Sequence, residues 1–237
     1  MHLATDFAGL PSMTSIRRLF TIACLLTAAA VPISRSQTPK DMPPAYITTV
    51  KSAMSTFSAR DFKTALALVD KAEAMYQPTA MTVNVRAAIA IEDKKFDQGR
   101  EYCLKALQLD PKFTPALFNL AEIPFMQGKY AEARLAYEKL MDEDAVGDLI
   151  KFRLYLTYLL EKNDEVAKRL LDKIPLLNDT PVYFYGYAAW EFAHGDEKKA
   201  QSYLNSAETV FPKTKRSNFL DVFYDIGWLK RTEGADQ

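Results

Sequence analysis

The sequence predicts an all-α protein in which about five helix pairs stack side by side and a C-terminal helix closes the array. Three observations predict it. Helix formers dominate and only 8 of 237 residues are Gly. Apolar and small residues recur with a period of 34 along most of the chain. The columns that recur are the ones two crossing helices need, small where backbones approach and apolar where faces meet.

The chain opens on an address rather than a fold. Arg17 and Arg18 precede the uncharged run Leu19–Ile33, and Ser34-Arg35-Ser36-Gln37 follows with small residues at the positions a signal peptidase reads. The run is broken by Pro32 and is shorter than the roughly 20 apolar residues a spanning helix needs. Residues 1–36 are therefore expected to be a signal peptide, with 1–12 as an upstream extension ahead of Met13. The alternative is an uncleaved N-terminal helix that anchors the chain. The expectation is an exported protein, periplasmic or envelope-associated, with no membrane span in its mature part. Residues 37–45 carry three prolines in Pro39, Pro43 and Pro44 and read as an extended linker.

From residue 46 the period takes over. Phe62, Phe96 and Tyr130 are spaced by 34, and Asp164 holds the same frame. Three positions on, Ala65, Gly99, Ala133 and Ala167 are small; four further, Val69, Cys103, Tyr137 and Leu171 are apolar. Ala72, Ala106, Leu140 and Ile174 close each group, and upstream Ala53, Ala87 and Ala121 share one phase. A fifth unit follows after a one-residue slip, with Phe184, Tyr187-Ala188, Gly195, Ala200, Leu204, Ala207 and Pro212.

On these residues the chain resembles the tetratricopeptide-repeat (TPR) family. The third unit carries Leu117, Leu120-Ala121, Gly128, Tyr130, Ala133 and Tyr137 in the family's order, and the second ends on Leu109-Asp110-Pro111. The resemblance implies a solenoid, a right-handed superhelix of antiparallel helix pairs. Its units fall at about 46–79, 80–113, 114–147, 148–180 and 181–214. One pair cannot bury its own apolar face, so the array needs stacking and a cap.

Local signals set expectations for individual elements. Thr114-Pro115 and Thr180-Pro181 read as N-caps followed by Pro at the first helical position. Gly128 and Gly195 read as left-handed residues that end first helices. Pro124 falls inside a first helix and removes one backbone bond there, while Pro175 reads as the end of a second helix. The first helix of unit four, Asp148–Lys162, is apolar nearly all round, with Tyr155 in a column that is Ala elsewhere, so burial on both faces is expected. Asn218–Arg231, with Phe219, Val222, Phe223, Ile226 and Leu229 on one face, reads as a helix that caps the open end. Residues 215–237 are assigned to that cap and tail.

Composition excludes several functions. Thirty basic residues balance thirty acidic ones, so no net field draws the chain to nucleic acid. Two histidines and two cysteines leave little for a metal site or a disulfide framework. Cys103 falls in an apolar column and reads as a core residue; His194 falls in a turn beside Gly195. Asp142-Glu143-Asp144 lacks calcium-loop spacing, and Lys213, Lys215 and Arg216 are too few for a nucleic-acid footprint. No cofactor is expected, no catalytic constellation is present, and the chain is expected not to be an enzyme.

The resemblance implies where a partner would bind. First helices of TPR units line a concave face. The family's groove positions fall here at Val50, Met54 and Phe57, then Met81, Asn84 and Ile91, then Phe118, Glu122, Phe125 and Met126. The last two units supply Phe152, Leu156 and Leu159, then Tyr185, Ala189 and Phe192. This set is apolar, aromatic and rich in Met, suited to an adaptable peptide groove. The Lys/Asn/Arg clamp by which some family members hold acidic chaperone tails would need polar groups where Val50 and Met54 stand. The expected function is a non-enzymatic adaptor or scaffold that binds a protein segment. The alternative is a self-assembling component, a homo-oligomer, whose groove is filled by its own C-terminal helix or a second copy.

Overall fold

A computed structural model describes residues 42–141, 147–176 and 179–231. The expected leader, most of the linker and the acidic run Asp142-Glu143-Asp144 lie outside the described residues. Eleven helices and no strand occur among those described.

The helices fall into five pairs and a single closing helix. The pairs are α1 (Pro44–Ser58) with α2 (Phe62–Met75), α3 (Ala80–Glu92) with α4 (Phe96–Leu109), and α5 (Thr114–Met126) with α6 (Tyr130–Glu138). Then come α7 (Gly147–Leu160) with α8 (Asp164–Leu171), α9 (Val182–Ala193) with α10 (Glu197–Val210), and α11 (Lys213–Asp225) alone.

Every pair turns through three residues, and the middle one is left-handed: Arg60 at φ 61°, Lys94 at 59°, Gly128 at 73°, Lys162 at 59° and Gly195 at 82°. At the first turn the amide of Arg60 donates to Phe57 O at 2.8 Å and that of Asp61 to Thr56 O at 3.1 Å, which closes the end of α1 in a Schellman motif. The same pattern recurs at Lys94–Lys95, Gly128–Lys129, Lys162–Asn163 and Gly195–Asp196. The glycines at 128 and 195 thus stand where expected, but three of the five turns use a long basic residue at a position that disfavours any Cβ.

The small and apolar columns are the core. Ala53, Ala87, Ala121 and Ala188 are fully buried, as are Ala65, Ala133, Ala167 and Ala200. A Cβ on Gly99 would sit 2.7 Å from Ile91 Cγ1, so the α3–α4 crossing leaves no room for one. Tyr155 fills its Ala column by donating its hydroxyl to Gly186 O at 3.0 Å, across to α9. Helix α7 is buried on nearly every side, as its composition requires.

Several local expectations are corrected. Neither Thr114 nor Thr180 is the residue before its helix: Phe113 and Pro181 hold those places, and the Thr180 hydroxyl donates to Asp148 Oδ2 at 2.7 Å. Side-chain caps come instead from Asp61, Thr79, Asn163 and Asp196, each accepting from the amide three residues on. Helix α8 stops at Leu171, ahead of Pro175. The closing helix starts at Lys213 rather than Asn218 and stops at Asp225; Gly227, at φ 83°, folds the chain back so that the Leu229 amide donates to Phe223 O at 3.0 Å.

Candidate binding groove

The first helices α1, α3, α5, α7 and α9 share one face, and that face has two unlike halves. Over α7 and α9 it is filled. Phe152 packs tilted against Phe219 with centroids 5.5 Å apart and stacks against Phe223 at 6.4 Å; Tyr185 lies 5.8 Å from Phe219 and 5.7 Å from Phe223. Phe192 packs on Phe223 and, at 5.8 Å, on Trp228. Of the apolar stripe expected on the closing helix, Phe219, Val222 and Phe223 lie buried on α11, while Ile226 and Leu229 fall past its end. The helix is laid into the groove as well as against the last pair, so α11 does more than cap an end. Each aromatic pair adds about 0.5–1.5 kcal/mol to the area term.

The candidate residues divide accordingly. Phe152, Leu156 and Tyr185 are enclosed under α11 or between helices and serve the core, as does Phe125, packed edge-on against Tyr130 and Tyr137. Leu159 and Ala189 are buried too. A partner cannot reach these side chains without displacing neighbours. Asn84 is spent on a hydrogen bond, accepting from Asn119 Nδ2 at 2.9 Å.

Over α1, α3 and α5 the face is open. One cavity of about 380 Å³ is lined by Met42, Ile47, Val50, Met54, Met81 and Phe113, among others. A second, of about 330 Å³, opens among Phe57, Ile91, Phe118, Met126 and Leu149, with α11 forming its far wall through Asn218, Asp221 and Asp225. Met54, Phe57, Met81, Ile91, Phe118, Glu122 and Met126 therefore line space that a ligand could enter.

The charged residues of the second cavity lie mostly outside the candidate set. Arg153, on α7, is 5 % exposed at its side chain, and its Nε donates to Glu122 Oε1 at 2.9 Å and Oε2 at 3.1 Å. The Tyr137 hydroxyl donates to the same Glu122 Oε1. Burial raises the Tyr137 phenol well above its ordinary range, and the Glu122 charge raises it further. Burial works against the Arg153 cation, but Glu122 and its hydrogen bonds outweigh that and hold it charged. Arg153 Nη2 reaches Asn218 O at 3.4 Å and so ties α11 to α5 through α7.

On α11, Asp221 and Asp225 share Arg231, at 3.3 and 3.5 Å. Burial, the Glu92 carboxylate and Asp221 push Asp225 up to about 6, against the pull of Arg231 and Arg153. Asp221 is also raised, chiefly by burial, though its side chain keeps 42 % exposure and solvent softens the effect. Glu92 is held by Arg60 at 2.8 Å.

Other singled-out residues take plain structural roles. Cys103 is buried in the core, which pushes its thiol up to about 12 and leaves it unreactive. His194 stacks on Trp190 at 4.1 Å, and its ring nitrogens lie 2.7 Å from Trp190 O and 3.1 Å from Asp164 Oδ2, joining α9 to the start of α8. Lys215 and Arg216 donate to the Asp179 and Phe211 carbonyls, both at 2.9 Å. Among the described residues no group of three or more His, Cys, Asp or Glu is placed to hold a metal, and no helix is long and apolar enough to cross a membrane.

Comparison with known proteins agrees with this architecture. Residues 90–150 match a family model described as Tetratricopeptide repeat. Among solved structures, PilF of Pseudomonas aeruginosa superposes with a TM-score of 0.53 at 18% identity, covering 77% of this chain and 86% of its own. A tetratricopeptide repeat protein from Parabacteroides merdae gives a TM-score of 0.46 at 17% identity over 78% of this chain and 75% of its own. MamA AMB-1 gives 0.43 at 15% identity over 70% and 91%. No curated protein matches the chain by sequence at a significant level. The described helices, five pairs and a closing one, form a tetratricopeptide-repeat fold, one whose general use is protein–protein interaction, and residues 90–150 carry the sequence match to that repeat.

Proposed function

We propose that this chain is a non-enzymatic adaptor of the cell envelope that holds a protein segment in the open half of its concave face. One observation carries the reading: α11 fills the groove over α7 and α9, whereas two cavities lined by Met54, Met81, Phe57, Ile91, Phe118 and Met126 stay open over α1, α3 and α5. Half-buried Met and Phe side chains make an adaptable apolar surface whose burial supplies affinity. Export to the envelope follows from the leader read at residues 1–36.

The test is affinity capture from the native envelope, with residues 37–237 as bait beside its Phe57→Ser/Phe118→Ser form. The expected result is a partner that the wild-type chain retains and the substituted chain loses, while both keep the same helical circular dichroism. Retention by both forms would overturn the groove reading.

The self-filled alternative draws support from α11, whose Phe219 and Phe223 already occupy part of the groove. If the chain assembles with itself, sedimentation will show a fixed oligomer that the same two substitutions dissolve.

A further inference from the structure

The cavity between α3, α5, α7 and α11 has a charge imbalance its own residues do not settle. Four carboxylates line it, Glu92, Glu122, Asp221 and Asp225, against one cation, Arg153. Glu122 is taken by Arg153 at 2.9 Å and Glu92 by Arg60 at 2.8 Å from the α1–α2 turn. Asp221 and Asp225 are left to share a single guanidinium, that of Arg231, at 3.3 and 3.5 Å, and that group also lies over the Tyr224 ring, 4.3 Å from its centroid. Two carboxylates on one cation leave about one negative charge unmatched beside an apolar wall, where charge is screened less than in open water.

A second observation concerns a donor. Arg153 lines the same cavity, and its Nη1 is a buried side-chain atom with no hydrogen-bond partner. An unfilled buried donor favours an acceptor, and a main-chain carbonyl is the acceptor that every peptide carries. The walls between are apolar: Phe57, Ile91, Phe118, Met126 and Leu149.

Resting on the adaptor reading above, we propose that this cavity takes a peptide segment in which an apolar side chain neighbours a Lys or Arg. The apolar side chain sits against Phe118 and Met126, and the cation lies at Asp221 and Asp225 on α11. An acidic segment would meet those carboxylates like-charge to like-charge and be refused. One wall of the recognition surface, Asn218, Asp221 and Asp225, is then supplied by the closing helix, which also plugs the groove beyond it.

The test is fluorescence anisotropy of the full chain with three labelled probe peptides of equal length. The first alternates Leu and Phe with Lys, the second has Glu for each Lys, and the third has Ser for each apolar residue. The Lys–apolar probe is expected to bind about tenfold or more tighter than the Glu probe at low salt, and the Ser probe to bind weakly. Asp221→Asn/Asp225→Asn should cost the Lys probe about tenfold and leave the Glu probe unchanged or improved. Affinity for the Lys probe should also fall as pH drops from 7.5 to 5, since Asp225, facing Glu92, Asp221, Arg231 and Arg153, takes up a proton there. Asp221→Asn alone, on the more exposed carboxylate, shows the same direction should the double variant lose helicity.

If the Lys and Glu probes bind equally and both are lost on Phe118→Ser, the groove reading stands and the basic preference is overturned. If no probe binds, or binding ignores Phe118→Ser, both fail.

Discussion

The two halves of the concave face are built from the same repeat yet end in opposite states. Over α1, α3 and α5 the repeat presents Met54, Met81 and Phe118 beside cavities of about 380 and 330 Å³. Over α7 and α9 the corresponding residues are Phe152, Leu156 and Tyr185, all buried, and Phe219 and Phe223 of α11 cover the Phe152 and Tyr185 rings. Phe118 and Phe152 are the same residue one repeat apart, so what separates the halves is where α11 lies: its Phe219 and Phe223 meet Phe152 and Tyr185, while Phe118 lines open space. A repeat frame sets which positions face inward; the place of the closing helix decides which of them the chain covers itself.

The boundary between the halves is the Glu122–Arg153–Tyr137 cluster, and breaking it should have the largest effect. Glu122→Ala strands the Arg153 cation, 5 % exposed, among Phe125 and Phe152. A loss of about 3–5 kcal/mol is expected in a denaturant titration, because the desolvated charge keeps no carboxylate partner. Phe223→Ala comes next. It removes a fully buried ring shared by Phe152, Tyr185, Phe192 and Trp228 and should cost about 3–4 kcal/mol. Amide exchange should then quicken in α7, α9 and α11 before α1–α4.

A smaller effect has an unusual sign. Asp225 is raised from 3.8 to about 6, so the folded chain holds this proton more tightly than the unfolded one. The stability it contributes is full below pH 3.8 and is lost as pH rises through about 6. Asp225→Asn should therefore raise the melting temperature at pH 7.5 and change it little at pH 4. The smallest effect belongs to the turns. Lys94→Gly and Lys162→Gly relieve left-handed strain at φ 59° and should each stabilise by about 1 kcal/mol in thermal melts.

The fold was legible because its rules are short-range and repeated. Ala53, Ala87 and Ala121 at one spacing announce a close helix crossing, and all three are fully buried. The turn positions Arg60, Lys94 and Lys162 were not legible, since a long basic residue carries no left-handed signal and only the period reveals them. Among the groove residues expected from the sequence, Met54 and Phe118 line open space, whereas Phe152 and Tyr185 are buried. Their burial depends on where α11 lies, a contact between residues far apart in the chain. Arg153 carries its own signal: it and Lys151 are the only charges between Ile150 and Leu160, and a cation in so apolar a run needs a carboxylate such as Glu122.

The central claim is that α11 fills one half of the concave face and leaves the other open. Hydrogen exchange on the full chain and on a chain ended at Pro212 tests it most directly. Removing α11 should strip protection from α7 and α9 while α1 to α4 keep theirs. An equal loss across all ten remaining helices, or no loss in α7 and α9, would contradict it.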